Sequence, residues 1–442
     1  MYKYFANALV VNEGREEYIN ILTKGNRIEV LSREPLSDLP FETEYVECSG
    51  LILIPGVIDA HVHFRQPGME YKADMSSESK AAIAGGVTTV LEMPNTKPAT
   101  TSLECLEEKL RLAKENMYCN YGFFFGLTNE NYGAAKEISS DKCCGLKLFL
   151  GSSTGNMLVN DHETLKKIFS ITDKVISAHC EDENIIRENT IKYKALHHPD
   201  NATAAIHPFI RSSEACFKSS AFAVSMAEKH GTHLHIAHLT TEKEISLLQS
   251  GGVSEKRITA EVSPVHLWFE TDDFPKYGSL IKCNPSIKTK YDRAALRRAL
   301  REDKIDIVAT DHAPHTWEEK QKPYFEAPSG IPSIQHSLLV MLQLVGEGEL
   351  TLGKMVEKMA HNPAKLFGIK GRGYIKEGYF ADLVLINPNK KTIVTKDSLQ
   401  SKCKWSPFEG KIFDNKIVAT YLNGEKVFEN GLVSNRRNAM KI

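Results

Sequence analysis

The sequence predicts an α/β protein in which a (β/α)8 TIM barrel is joined to a small β-sandwich domain built from both termini. Between about Gly56 and Gly368, eight short apolar runs alternate with helical patterns, which is typical of parallel strands and the helices that cover them. Several runs end on a polar residue that can bind a divalent metal, and a barrel places its active site at that end of its strands. An open doubly wound sheet is the structural alternative, but it would scatter these residues along one edge.

Both termini have the pattern of small antiparallel strands. The first 55 residues alternate charged turns with the runs FANALVVN, YINILTK, RIEVLSR, YVECSG and LILIPG. Near the other end, ADLVLINP and KIVATYLNGEKVF have the same character, and Asn423 and Gly424 predict a hairpin turn. We therefore predict a composite β domain from residues 1–55 and 369–442, with the barrel over residues 56–368.

Eight runs are predicted to form the barrel. In chain order they are VIDAHVH, TTVLEM, YGFFFG, CGLKLF, VISAH, HLHIAH, ITAEV and IDIVATD. Helical patterns such as LECLEEKLRLAKE and HETLKKIF separate most of them. The long connection 312–333 is rich in Pro, Gly and aromatic residues, which suits a loop over the mouth of an active site. The polar segment GSSTGNM after the fourth run fits a lid or a plain flexible loop equally well.

Composition is that of a globular protein without a bias towards charged partners. Of 442 residues, 42% are hydrophobic and 25% are charged, and the formal net charge is -1. This balance favours neither nucleic acid nor an anionic membrane, and no run approaches the ~20 apolar residues that span a bilayer. The nine cysteines include no CxxC pair, and the first fifteen residues lack the apolar core of a signal peptide. We therefore predict reduced thiols in a cytoplasmic protein.

Six residues in or just after these runs form a candidate ligand set for two metal ions. His61 and His63 flank Val62, so their side chains point to the same side of an extended strand. The other members each belong to a different run: Lys147, His179, His238 and Asp311. Imidazole suits zinc, whereas a lysine must first lose its proton to become a ligand. Each histidine alone could equally be structural, and His233 and His235 are assigned to the core or the barrel floor.

Several motifs give the chain a resemblance to a known family. PGVIDAHVHFR resembles the opening motif of the amidohydrolase superfamily, in its cyclic-amidase branch. DHAPHT, VLEMPNTKPA, GLKLFL and GYIKEGYFADLVLI resemble segments of dihydroorotases. The resemblance extends from about residue 50 to about residue 410, and its motifs are specific in combination. It implies a hydrolase of cyclic amides that interconverts N-carbamoyl-L-aspartate and L-dihydroorotate in pyrimidine (UMP) synthesis.

The resemblance also implies roles for the six candidate ligands. Lys147 lies where cyclic amidases carry a lysine carboxylated by CO2, whose carbamate bridges two metals; some dihydroorotases use an aspartate elsewhere instead. The first Zn2+ would be held by His61, His63 and Asp311, and the second by His179 and His238. A bridging hydroxide would attack the ring amide, with Asp311 as general base and acid. The alternative for Asp311 is a ligand without a role in proton transfer.

Four further residues match substrate-binding positions of dihydroorotases: Arg65, Asn95, Asn284 and His315. Arg65 follows the histidine pair on the same side of an extended chain, where its guanidinium can hold a carboxylate through two parallel hydrogen bonds. Asn95 would supply donors to the same carboxylate, and His315 would reach the same region. The implied partner is the small-molecule substrate, L-dihydroorotate or N-carbamoyl-L-aspartate, without nucleic acid or membrane. The resemblance also suggests a homodimer.

Two other functions compete with this interpretation. Another cyclic amidase, such as an allantoinase, a dihydropyrimidinase or a hydantoinase, would share the metal site. Dihydropyrimidine has no carboxylate for Arg65 to hold, but many dihydroorotases carry Glu-Thr where this chain has Gln335 and His336, and allantoinases can have Gln there. A non-catalytic scaffold is the third hypothesis, and the complete ligand set argues against it.

Overall fold

The computed structural model describes residues 1–151, 156–198 and 201–442, so part of the GSSTGNM segment lies outside the described residues. The N-terminal part forms five strands: β1 (Tyr2–Asn12), β2 (Arg15–Lys24), β3 (Arg27–Ser32), β4 (Glu44–Glu47) and β5 (Ile52–Pro55). β1 pairs antiparallel with β2 and parallel with β4 and β5. The glycine turns at Gly14 and Gly25 adopt positive φ, which permits the tight reversals between β1, β2 and β3.

The eight predicted barrel strands are confirmed. They are β6 (Val57–Val62), β7 (Val87–Glu92), β8 (Asn120–Gly126), β9 (Gly145–Phe149), β10 (Val175–His179), β11 (His233–Ile236), β12 (Ile258–Val262) and β13 (Ile307–Val308). Each pairs in parallel with its neighbour in chain order. The first and last strands meet just beyond β13, where the His63 N–H donates to the carbonyl of His312 at 2.8 Å. The carboxyl ends of all eight strands therefore converge on one mouth, as a nearly closed barrel requires.

Helices cover the outside of the barrel and fill its connections. They are α1 (Met75–Ala84), α2 (Leu103–Asn116), α3 (Tyr132–Glu137), α4 (His162–Phe169), α5 (Glu183–Leu196), α6 (His207–Ile210), α7 (Ser213–His230), α8 (Glu242–Ile245), α9 (Pro264–Trp268), α10 (Phe274–Tyr277), α11 (Lys290–Arg301), α12 (Trp317–Lys320), α13 (Ser337–Gly346), α14 (Leu352–Val356) and α15 (Asn362–Leu366). Side-chain caps fix several starts, since Asp74, Ser102 and Ser212 each accept a hydrogen bond from the backbone N–H three residues on. Among the described residues, no helix is both long and apolar enough to cross a membrane.

The C-terminal strands complete a sheet begun at the N-terminus. They are β14 (Leu383–Asn387), β15 (Thr392–Ile393), β16 (Ile412–Phe413), β17 (Lys416–Leu422), β18 (Glu425–Glu429) and β19 (Leu432–Val433). β14 pairs antiparallel with β5, which joins the two termini in one nine-stranded sheet, while β15 and β16 form a separate pair. The predicted additional β structure from both ends is thus confirmed. The domain boundaries 1–55, 56–368 and 369–442 stay a prediction.

Apolar side chains fill the barrel below its mouth. Ala60, Leu91, Phe124 and Ile307 come from four different strands and form one buried cluster inside the barrel. Each such side chain stabilises the fold by roughly 1.5–3 kcal/mol through burial, or less for Ala. Because apolar residues occupy this level, the polar residues at the strand ends are left to form a separate layer at the mouth.

Candidate metal and substrate site

A cavity of about 520 Å³ opens at the carboxyl ends of the barrel strands. All ten residues predicted to form the site line this cavity: His61, His63, Arg65, Asn95, Lys147, His179, His238, Asn284, Asp311 and His315. The structure therefore brings together residues from β6, β9 and β10 and from the connections that follow β6, β7, β11, β12 and β13. Their roles remain proposals, but their convergence is what the strand order predicts.

Asp311 lies against the histidine pair of β6. Its Oδ1 is 2.9 Å from His63 Nε2 and 3.4 Å from His61 Nε2. These three side chains are grouped closely enough to hold one metal ion, with their ligand atoms within 4.8 Å of one another. Asp311 and His238 both have positive φ, at 49° and 34°. Such strained conformations persist where the surrounding structure enforces them, and they are concentrated at functional sites.

Three of the four histidines have a partner that orients the imidazole ring. The Nδ1 of His61 contacts the carboxylate of Glu261, and the Nδ1 of His63 lies 2.7 Å from Asn95 Oδ1. The Nε2 of His179 lies 2.8 Å from Glu181 Oε2. Because each of these nitrogens donates to an oxygen, the opposite ring nitrogen keeps a lone pair for the cavity. This arrangement, in which an outer oxygen fixes the tautomer, is the usual one for metal-binding histidines.

His179 and His238 face each other across a second position in the cavity. The Nδ1 of His179 is 3.0 Å from the Nε2 of His238. Burial lowers the pKa of both rings, and it lowers the pKa of His63 to about 4. The imidazoles of His63, His179 and His238 are therefore neutral at pH 7 and can act as ligands without first losing a proton.

Lys147 is the most unusual member of the cluster. Its side chain is 1% exposed, and Nζ has no hydrogen-bond partner among the described residues. Burial lowers the pKa of its ammonium to about 8, which makes the neutral amine accessible near physiological pH. A buried amine without a hydrogen-bond acceptor is costly, and the Phe149 ring, centred 5.3 Å from Nζ, supplies none, so a group beyond the protein atoms is implied. The donor set of this cavity therefore fits divalent metal ions.

Arg65 brings an unpaired cation to the same cavity. The side chain is buried, its Nε donates to the carbonyl of Pro314 at 3.0 Å, and its Nη2 lies 3.1 Å from His315 Nε2. Within the described part of the chain, Arg65 forms no ion pair with a carboxylate. A buried guanidinium in this state favours an anionic ligand.

Asn95 and Asn284 are both held by histidines. Asn95 uses its side-chain oxygen for His63, so only its amide nitrogen is left for a ligand. Asn284 Oδ1 lies 3.1 Å from the Nε2 of His207, a buried histidine at the start of α6. Asn95 thus has an orienting contact that the sequence did not predict, beside the substrate contact proposed for it.

Several residues that contact the candidate ligands or line the cavity were not predicted from the sequence. Glu181 is fully buried and pairs with Arg211. Burial alone would raise the pKa of the Glu181 carboxyl, but Arg211 and His179 hold it well below the usual range. Its position two residues after His179 on a strand end was a usable signal. Glu261 also carried a sequence signal, because it is a carboxylate inside the apolar run ITAEV. Arg211 and Lys72, which both line the cavity, lie in connections that show no periodic pattern.

His235 is buried in the barrel below the cavity, as predicted. Its Nε2 lies 3.1 Å from Glu261 Oε2, and its Nδ1 lies 2.9 Å from the Thr259 hydroxyl. Glu261 therefore contacts both His61 and His235, one through each carboxylate oxygen. Histidine partners hold the pKa of the Glu261 carboxyl well below its usual range, although burial alone would raise it.

Comparison with known proteins agrees with this fold. The amidohydrolase family model matches residues 52–427, so the chain belongs to that family. It is 35% identical over 391 residues to a dihydroorotase of Halobacterium salinarum, covering 86% of this chain and 87% of that protein. It is 33% identical over 426 residues to a dihydroorotase of Geobacter metallireducens, covering 95% and 97%. The predicted resemblance is confirmed.

Solved structures give the same class. The L-hydantoinase (dihydropyrimidinase) of Arthrobacter aurescens superimposes with a TM-score of 0.93 at 26% identity, over 100% of this chain and 99% of that chain. A dihydropyrimidinase of Brevibacillus agri has a TM-score of 0.90 at 21% identity over 100% and 98%, which shows the fold alone. Together with the sequence relatives, this similarity defines the protein as a hydrolase acting on cyclic amides.

Proposed function

We propose that this protein is a dihydroorotase, which interconverts N-carbamoyl-L-aspartate and L-dihydroorotate. The observation that carries the proposal is the buried Arg65 guanidinium, which forms no ion pair among the described residues and lies in the same cavity as the candidate metal ligands. A cyclic amide with a carboxylate on its ring would bring its amide to the candidate metal ligands and its carboxylate to Arg65. The similarity to dihydroorotases over most of the chain supports the same substrate.

Two zinc ions are the proposed cofactors. His61, His63 and Asp311 would hold the first, His179 and His238 would hold the second, and a carboxylated Lys147 would contribute to both. When bound, such metals lower the pKa of water and polarise a carbonyl oxygen. The Lys147 amine, which has a lowered pKa and no hydrogen-bond partner in the described part of the chain, supports carboxylation, because the neutral amine is the form that adds CO2.

Asp311 is the proposed proton carrier. Burial alone would raise the pKa of its carboxyl, but His61, His63 and His238 hold the pKa far below its usual range. The carboxylate is therefore ionised at neutral pH and can accept the proton that the attacking water loses. It then returns that proton to the ring nitrogen as the amide bond breaks.

A hydantoinase or allantoinase activity is the second candidate, and the similarity to L-hydantoinase favours it. The position that raised this alternative in the sequence, however, lies away from the cavity. The Gln335 amide nitrogen donates to the carbonyl of Ser398, and its oxygen accepts from the N–H of Gln400, both at 2.8 Å. His336 lies 3.3 Å from the hydroxyl of Ser406. Neither Gln335 nor His336 lines the metal cavity, so neither argues for allantoin.

Replacing Arg65 by Met tests the carboxylate end of the site. The variant should lower kcat/KM for L-dihydroorotate by about 100-fold or more, because loss of one partner of a buried charged pair costs about 2–5 kcal/mol. Metal content, measured by elemental analysis, should stay at the wild-type level. An unchanged kcat/KM would remove Arg65 from substrate binding.

Replacing Glu181 by Gln tests the orientation of His179. Loss of the carboxylate that holds a ligand histidine should weaken metal binding by about 10- to 100-fold. The measurement is metal retained per chain after dialysis against a graded series of chelator concentrations. Glu188→Gln, at an exposed position on α5, is the matched control and should retain metal like the wild type. Equal retention in both variants would contradict the proposed role of Glu181.

A further inference from the structure

A group of four side chains forms one wall of the cavity beside Arg65. The Nδ1 of His315 lies 2.9 Å from the ammonium of Lys72, and its Nε2 lies 3.0 Å from the carbonyl oxygen of Ser329. Lys72 is in turn held 3.0 Å from Glu319 Oε1 on α12. Lys72, Arg65 and His315 all line the cavity, and the Lys72 side chain is 11% exposed. Lys72 comes from the loop between β6 and α1, so no strand pattern predicted its place here.

The contacts with Lys72 and Ser329 favour one tautomer of His315. An ammonium can only donate, so Nδ1 must accept from Lys72. The proton of the neutral ring then lies on Nε2, from which it is donated to the Ser329 carbonyl. Burial and the charges of Arg65 and Lys72 lower the pKa of His315 to about 3, which keeps the ring neutral. This tautomer satisfies the contacts with Lys72 and Ser329, and it leaves the Arg65 Nη2 group, which lies 3.1 Å from Nε2 and can only donate, without an acceptor on the ring.

The same wall carries an excess of positive charge. Arg65 and Lys72 contribute two cations beside the neutral His315, and Glu319 contributes one carboxylate. Glu319 forms an ion pair with Lys72, while Arg65 forms no ion pair within the described residues. One further negative charge, such as a substrate carboxylate, would balance the wall. A substrate with an uncharged ring and no carboxylate would leave the extra positive charge of this wall uncompensated.

We propose that Lys72 is a specificity-determining residue for substrates that carry a carboxylate. It acts by holding His315 in the Nε2–H tautomer and by adding a second positive charge beside Arg65. This inference rests on the proposed dihydroorotase function. It adds Lys72, which lies outside the motifs that resemble dihydroorotases, to the residues proposed to bind the substrate. A purely structural lysine would change stability alone, whereas a specificity residue changes KM for an anionic substrate.

The test compares Lys72→Met, Lys72→Arg and Lys97→Met in the metal-loaded protein. Lys97→Met is the matched control, because it removes the same charge from an exposed side chain outside the cavity. For each protein, kcat and KM are measured with L-dihydroorotate, together with Tm and metal content. Lys72→Met should raise KM by about 10- to 100-fold with kcat within about threefold, as expected for a lost charged hydrogen bond. Lys72→Arg should recover most of the loss, and Lys97→Met should match the wild type.

The outcomes separate this inference from the function on which it rests. Wild-type turnover of L-dihydroorotate with an unchanged KM in Lys72→Met would overturn the role of Lys72 and leave the proposed function intact. A fall in kcat at constant KM would also overturn it. A wild type that hydrolyses only uncharged rings, such as dihydrouracil, would overturn both. Should Lys72→Met lose metal or fold poorly, Lys72→Gln keeps a donor without the charge, and the same rise in KM is expected.

Discussion

Replacing Lys147 by Ala is expected to remove bound metal and activity together. The Lys147 amine is buried in the cavity with the other proposed ligands and has no hydrogen-bond partner among the described residues, so its proposed role is to hold the metals as a carbamate. Without it, Asp311 is the one anionic side chain among the proposed ligands, and the charge of two cations is poorly balanced. Turnover of L-dihydroorotate should fall by at least about 1000-fold, with the metal content measured on the same sample.

The control for this variant is Lys167→Ala, at an exposed position on α4, which should keep wild-type metal content and turnover. A second readout is the mass of the intact protein under native conditions, where a carboxylated lysine adds the mass of CO2. Retention of both metals and near-normal turnover in Lys147→Ala would remove this residue from the metal site.

Replacing Asp311 by Asn is expected to lower kcat by about 100- to 10,000-fold, the range for a lost general base. The amide has nearly the same shape, but it cannot accept the proton, and it no longer supplies a negative charge to the metal proposed to lie beside His61 and His63. Metal content decides between the two roles of Asp311. Metal retention with lost turnover indicates proton transfer, and loss of both indicates a role as ligand.

Asp397→Asn, at an exposed carboxylate, is the control for this second variant and should keep normal turnover. Thermal unfolding of both proteins checks that the barrel remains folded. A kcat for Asp311→Asn within a few fold of the wild type would show that neither role belongs to Asp311.

The barrel and the convergence of the site were predictable because both depend on local patterns. A buried strand of a parallel sheet appears as a short apolar run, and its carboxyl end is marked by the first polar residue. The runs that end at His179 and precede Asp311 show this pattern, His61 and Lys147 lie inside similar short runs, and the strand order brings the ends of all four runs to one mouth. The antiparallel pairing of β5 with β14, about 330 residues apart, was indicated only by the similar character of the two termini.

The contacts between connections were not predictable in the same way. Arg211 reaches Glu181 from the segment between α6 and α7, and Lys72 reaches His315 from the first long loop. Neither side chain has a periodic neighbour in the sequence, because its position depends on how separate loops pack over the mouth. Gln335 stands where many dihydroorotases carry glutamate. It raised doubt about the substrate, although its side chain contacts backbone groups outside the cavity.

The most direct test of the proposed function uses one purified, chelator-free sample. Metal per chain is measured by elemental analysis, and turnover of L-dihydroorotate and of allantoin is measured in parallel. The site described here predicts about two metal ions per chain and rapid turnover of L-dihydroorotate, with little hydrolysis of allantoin. Two metals with activity on allantoin alone, or no metal after zinc and bicarbonate are supplied, would contradict it.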